Sequence, residues 1–179
     1  MINSLRGTSK VLKGYRLISY VTRGTNYEQF VYNRLSTNYI SLLHCGGPND
    51  KGIDIRGTIN IDDKLVPLII QCKYQKQKIS VKQIREFCGT IQNEYSLEET
   101  QLVSPISMFC SATGYSLPSL EYTDSISYPL LLLHLSPNDF HSIYANKRFS
   151  DCFRNIHLVK RIEEGISIPS LLYKGYYLL

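Results

Sequence analysis

No stretch of this chain is apolar for long enough to cross a bilayer as a helix. The longest wholly apolar run, Pro129 to Leu133, falls far short of the roughly 18 to 20 residues a spanning helix needs, and His134 interrupts the leucines beyond it. Cysteine is sparse and badly spaced. Cys45, Cys72, Cys88, Cys110 and Cys152 form an odd set without a CxxC, which excludes a disulfide framework and a zinc ribbon. Cys152 and His157 are the only close Cys/His pair, and no second pair completes a metal set. Repeats, heptads, low-complexity blocks and Pro/Gly/Ser linkers are also missing, so the 179 residues read as one domain with a short appendage.

Acid is missing from residues 1–27, which hold Arg6, Lys10, Lys13, Arg16 and Arg23. Of the 20 basic residues these five leave 15 to set against 15 acidic ones, so the net charge of +5 belongs wholly to this segment and the body is neutral. A basic, acid-free, Ser/Thr-rich start with interspersed Leu, Val, Ile and Tyr has the composition of a mitochondrial presequence. A basic tail or a first amphipathic element shares that composition, whereas the interspersed charges break any secretory apolar core. We therefore expect a leader over residues 1–24, mitochondrial localisation, and one domain over 25–179.

Thr25 precedes Tyr27, Phe30, Val31 and Leu35 at helical spacing, which predicts a helix over about 26–38. Ile53, Ile55, Ile59 and Ile61 alternate with Asp54, Arg56, Thr58 and Asn60, the pattern of a half-buried strand. Asp62-Asp63-Lys64 is turn material, and a second strand follows over 66–74, making a hairpin. Val81, Ile84, Phe87, Cys88, Ile91 and Tyr95 predict an amphipathic helix over 81–96, with Ser80 as its N-cap. Strands are expected at 106–110 and 128–135 with a short helix near 117–122 between them, then a helix near 137–146 and a strand or hairpin in 166–179. The fold class is α/β, a central mixed sheet flanked by helices.

The hairpin concentrates polar groups. A two-residue turn at Asp62-Asp63 would put Asp54 across from Gln71, a four-residue loop would put it across from Lys73, and an odd loop would separate them. Either even register gathers a carboxylate, an amide oxygen and an ammonium. These residues sit in Gly52-Ile53-Asp54, after the glycine-rich Gly46-Gly47, and in Gln71-Cys72-Lys73. The paired motifs G-x-D and Q-x-K resemble the PD-(D/E)xK nuclease superfamily, in particular its Mrr-like restriction-endonuclease-like branch, where Gln commonly replaces the acidic residue. The helix with Glu28, the segment 79–89 and the Ser-Ala-Thr-Gly turn after Phe109 are similar to that branch too, over about residues 24–135. With the basic leader and the C-terminal tail, the chain also resembles the small fungal mitochondrial family named as required for respiratory growth.

The resemblance implies a metal-dependent endonuclease acting on DNA in mitochondrial nucleic-acid maintenance. Asp54, the Gln71 amide oxygen and the Cys72 backbone carbonyl would bind Mg²⁺ or Mn²⁺, Lys73 would position the attacking water, and Glu28 would complete the site. Each residue also has a plainer reading. Thr25-x-x-Glu28 is a capping box, and Asp54 with Lys73 is a cross-strand ion pair worth about 0.2 to 1 kcal/mol. Residues 64–85 carry Lys64, Lys73, Lys76, Lys78, Lys82 and Arg85 without an acid, and Lys76, Lys78, Lys82 and Arg85 are the expected phosphate contacts unless they form a solvated helix face. The expected partner is nucleic acid, DNA ahead of RNA, with a homodimer compatible. The alternative is a nuclease-fold nucleic-acid-binding module without activity, or an assembly factor needed for respiration. Gly47 to Gly52 lacks the lysine of a P-loop, and no G-x-S-x-G supports a hydrolase triad.

Overall fold

The computed structural model describes residues 8–47, 51–97 and 104–179, and within these the side chains of 22–47, 51–94 and 104–179. Most side chains of the segment 1–24, expected to be a basic leader, and Pro48-Asn49-Asp50 of the glycine-rich loop lie outside the described residues.

A first helix, α1 (Thr8–Leu35), leads into β1 (Ile40–His44) and the hairpin β2 (Ile55–Ile61) and β3 (Lys64–Lys73). Helix α2 (Val81–Leu97) crosses to β4 (Ile106–Ser111), and α3 (Leu117–Asp124) crosses to β5 (Leu130–Ser136). Then come β6 (Asp139–Ala145), α4 (Lys147–Cys152), β7 (Ile156–Glu163), β8 (Ile166–Tyr173) and β9 (Tyr176–Tyr177). Strands β1 to β6 form one sheet in sequence order; β3–β4 and β4–β5 are parallel and the other pairs antiparallel. Each parallel pair is joined through a helix, as parallel strands require.

The sheet is covered on both faces, so the fold is α/β with a mixed sheet flanked by helices. One face packs Ile55, Ile59, Leu68, Ile70, Met108 and Leu133 against Tyr27, Val31 and Leu35 of α1, against Leu171 and Tyr173 of β8 in the three-stranded β7–β9 sheet, and against Leu178 just after β9. The other packs Ile69, Phe109, Leu130 and Leu132 against Ile84, Phe87 and Ile91 of α2. Leu130 to Leu133 are all buried, split between the two faces, which is why β5 reads as a continuous apolar run.

Several expectations need correction. Helix α1 runs straight through Thr25, so Thr25 is no N-cap and Thr25-x-x-Glu28 no capping box. Residues 139–145 form strand β6, not a helix: the Ser136-Pro137-Asn138 turn folds the chain back on β5, and Phe140, Ile143 and Tyr144 imitate helical spacing by coincidence. Ile53 leaves the face of Ile55 and joins the α2 side, because the strand breaks at Asp54. At α2, the Gln83 side chain accepts the Ser80 N–H at 3.1 Å, the glutamine half of a capping box.

Candidate functional site

The β2–β3 turn has two residues. Ile61 pairs with Lys64 and Ile55 with Ile70, the register of a two-residue turn, which would set Asp54 across from Gln71 if the strand continued. At Asp54 itself the ladder breaks. Its N–H donates to the Ile70 carbonyl at 3.0 Å, and its carbonyl accepts from both Cys45 and Gly46, each at 2.9 Å, as in a β-bulge. Strand β2 therefore stops one residue short of Asp54, and the Cys72 N–H, which would have met the next ladder partner, is taken by the Asp54 carboxylate at 2.6 Å. Asp54 is 8% exposed and Gln71 7% exposed, so both are held inside rather than on an open polar face.

Neighbouring backbone groups share this geometry. A strand residue turns its N–H and C=O to the same side, so the Cys72 carbonyl faces the edge where the Asp54 carboxylate lies, while the Lys73 carbonyl accepts Ala112 of β4 on the far side. Gly52 has φ +79, and a Cβ there would come within 3.0 Å of Gln71 Nε2, so only glycine lets the loop pass over this amide. Thr90 of α2 donates to the Lys51 carbonyl at 2.9 Å, and Arg56 meets Glu94 at 2.6 Å; both contacts tie the loop and β2 to α2.

Glu28 reaches the site from α1 but is occupied by His44 at the end of β1, Oε2 to Nε2 at 3.0 Å. A Cβ on Gly46 would lie 2.9 Å from that carboxylate oxygen and 3.5 Å from the Asp54 Cα, so Glu28, His44 and Asp54 crowd round Gly46. The Cys72 thiol faces the same group. Burial, then Cys110, then the carboxylates of Asp54 and Glu28 hold its pKa well above the ordinary thiol value. It stays protonated and unreactive, and Cys72 has only its backbone to offer. His44 escapes sequence reading because β1 is too short to announce itself.

The structure joins the Asp54 carboxylate to the Cys72 backbone, with Gln71 under the loop that leads to Asp54 and Glu28 across Gly46, and puts Lys73, half-exposed, at the same end of β3. The donors fit a hard cation, being one carboxylate, one amide oxygen and one peptide carbonyl, although no three of His, Cys, Asp and Glu gather as a metal set among the described residues. The expected phosphate contacts are spread out. Lys76 and Lys78 line separate cavities beyond β3, Lys82 pairs weakly with Glu86 at 3.9 Å, and the Arg85 guanidinium lies over the Tyr122 ring at 5.0 Å. Arg85 is thus partly committed to packing.

Known proteins narrow the identity. The family model for Required for respiratory growth protein 7 matches residues 19–67 and 64–162, most of the chain. The chain belongs to this family. One relative is an uncharacterised mitochondrial protein of Schizosaccharomyces pombe, 29% identical over 125 residues, covering 68% of this chain and 48% of that one. Another is Required for respiratory growth protein 7, mitochondrial, of Vanderwaltozyma polyspora, 25% identical over 162 residues, covering 66% of this chain and 64% of that one. The chain spans about half the length of the first relative and under two thirds of the second. Both relatives are named mitochondrial, and the family assignment makes this a mitochondrial protein. Among solved structures, the MspJI restriction endonuclease in complex with a 27-mer oligonucleotide is similar with a TM-score of 0.39 at 12% identity, covering 73% of this chain and 30% of that one. No helix among the described residues is long and apolar enough to cross a membrane.

Proposed function

We propose that the protein acts on nucleic acid in mitochondria through a metal-dependent phosphodiesterase site at the broken end of β2, with DNA as the preferred substrate. The carrying observation is the buried Asp54 carboxylate on the Cys72 N–H at the broken end of β2, against the stretch of β3 that holds Gln71, Cys72 and Lys73. Asp54, the Gln71 side-chain oxygen and the Cys72 carbonyl would hold Mg²⁺ or Mn²⁺, which when bound supplies charge neutralisation and an acidified water. Lys73 orients the attacking water by its ammonium, and Glu28 stays with His44 as a positioning group. Loss of such an activity would undermine mitochondrial nucleic acid, which accords with a relative named as required for respiratory growth.

A second reading has its own support. Asp54 and Glu28 are already engaged by Cys72 and His44, and Gln71 is neutral, an arrangement equally suited to a nuclease-like module that binds nucleic acid without cutting it. One panel separates the readings: linear, single-stranded and branched DNA and RNA with Mg²⁺ or Mn²⁺. Asp54→Asn abolishes cleavage and weakens metal binding; Lys73→Ala abolishes cleavage with metal binding intact; Gln71→Glu binds metal at least as well as the native chain. All three keep salt-dependent binding. Binding without cleavage by the native chain selects the second reading, and binding to nothing leaves an assembly factor. Cleavage that survives both Asp54→Asn and Lys73→Ala refutes the mechanism.

A further inference from the structure

Beyond Lys73 the chain leaves β3 and enters a loop that walls a cavity of about 350 Å³ at the C-terminal ends of β3, β4 and β5. Its lining includes Arg23 of α1, Tyr74, Gln75 and Lys76 of the loop, Thr113 after β4 and Ser136 at the end of β5. Two cations, one aromatic ring, an amide and two hydroxyls are the groups that a single nucleotide engages: a base stacks on the ring and a phosphate takes the cations.

The walls are fixed in advance. Tyr74 is 47% exposed, and its inner side rests on Tyr27 with ring centroids 5.5 Å apart. Tyr27 in turn is bolted to β5, its hydroxyl donating to the Leu135 carbonyl at 2.7 Å. Gln75 donates to the Gln77 carbonyl at 2.7 Å and accepts from Gln83 of α2 at 2.8 Å, while Thr113 donates to the same Gln77 carbonyl at 2.8 Å. A preformed aromatic platform spends little entropy on binding.

We infer that this cavity receives one unpaired nucleotide of a nucleic-acid strand, its base on Tyr74 and its phosphate between Arg23 and Lys76. This rests on the reading of the protein as acting on nucleic acid and adds to it a substrate class: frayed, tailed or flapped ends rather than continuous duplex. A base stacked inside a duplex cannot reach Tyr74 without being extruded. Because Tyr74 directly follows Lys73, a nucleotide held there leaves its neighbouring phosphate beside the β2–β3 strand end.

The test is binding by the full chain in EDTA, so that cleavage plays no part, to a blunt duplex and to the same duplex with a short single-stranded DNA or RNA extension. The expected result is tighter binding to the extended duplex. Tyr74→Ala should reduce affinity for the extended form about 5- to 150-fold and leave the blunt form unchanged, with Tyr74→Phe like the native chain. Arg23→Gln should weaken the extended form and lower its salt slope by about one. Asp54→Asn should keep the preference. A preference confined to DNA or to RNA supports the cavity and identifies the source of the nucleotide. Equal binding of blunt and extended forms, or equal loss of both in Tyr74→Ala, overturns the cavity while the nucleic-acid reading stands. Failure to bind either form overturns both.

Discussion

Replacing Asp54 tests whether its carboxylate closes the sheet as well as serving a site. In Asp54→Ala the Cys72 N–H loses a buried, charge-assisted bond of 2.6 Å and has no ladder partner to replace it, because β2 ends at Ile55. A hydrogen bond to a charged group contributes about 1.5–3 kcal/mol, and the orphaned N–H bears the desolvation cost. At about 2–4 °C per kcal/mol for a chain of this size, the melting temperature should fall by about 3–12 °C. Asp54→Asn keeps an oxygen that can accept the same N–H and should cost under about 1 kcal/mol. Thermal unfolding of the full chain in EDTA, followed by circular dichroism, reads both. The contrast matters for function, because an inactive but stable Asp54→Asn isolates the chemical role, whereas an inactive Asp54→Ala proves nothing. If Asp54→Ala melts with the native chain, or Asp54→Asn falls as far as Asp54→Ala, the carboxylate does not terminate the ladder as argued.

Asn146 is fully buried; its side chain accepts the N–H groups of Leu130 and Phe149 and donates to carbonyls that include Ile126 and Tyr128, so Asn146→Ala should lose about 3–5 kcal/mol in urea unfolding, and an unchanged midpoint would refute this. Gly57→Ala would set a Cβ 2.2 Å from the Ser41 carbonyl of β1, which cannot move cheaply, and should destabilise by about 1–3 kcal/mol or more in the same assay. Burial and then the neighbouring His141 lower the pKa of His134, so the unfolded chain protonates first; stability is complete above pH 6.5 and falls as the pH drops below it, and His134→Gln should flatten that part of the stability profile. Residues 1–27 fused to a fluorescent reporter should carry it to mitochondria, and a diffuse cytosolic signal would remove the leader.

The parts legible in the sequence are those where one periodicity holds without interruption. The stripe Ile84, Phe87, Ile91 marks α2, and the alternation of Ile55, Ile59 and Ile61 marks β2, whereas the sequence left the length of the β2–β3 turn open and the pairing of Ile61 with Lys64 decides it. What was hidden depends on events outside any period. The bulge that turns Asp54 into a cap for Cys72, and the pairing of Glu28 with His44, are made by residues 18 and 16 positions apart. Strand β7 carries exposed Leu158 and Ile162 at an edge, so its alternation has no clear inside and outside. Thr25-x-x-Glu28 satisfies a helix-start rule within a helix already under way, a case where local chemistry is right and its position wrong.

The bulge at Asp54 also bears on how this family's history should be read. An aspartate that closes a sheet is retained by selection for folding whether or not it ever meets a metal ion, so its invariance among relatives would say nothing about catalysis. Lys73 is a cleaner witness, being half-exposed at the strand end with no backbone group to cap. Selection on any chemistry at this strand end would therefore show at position 73, while selection on folding alone would suffice to hold the aspartate.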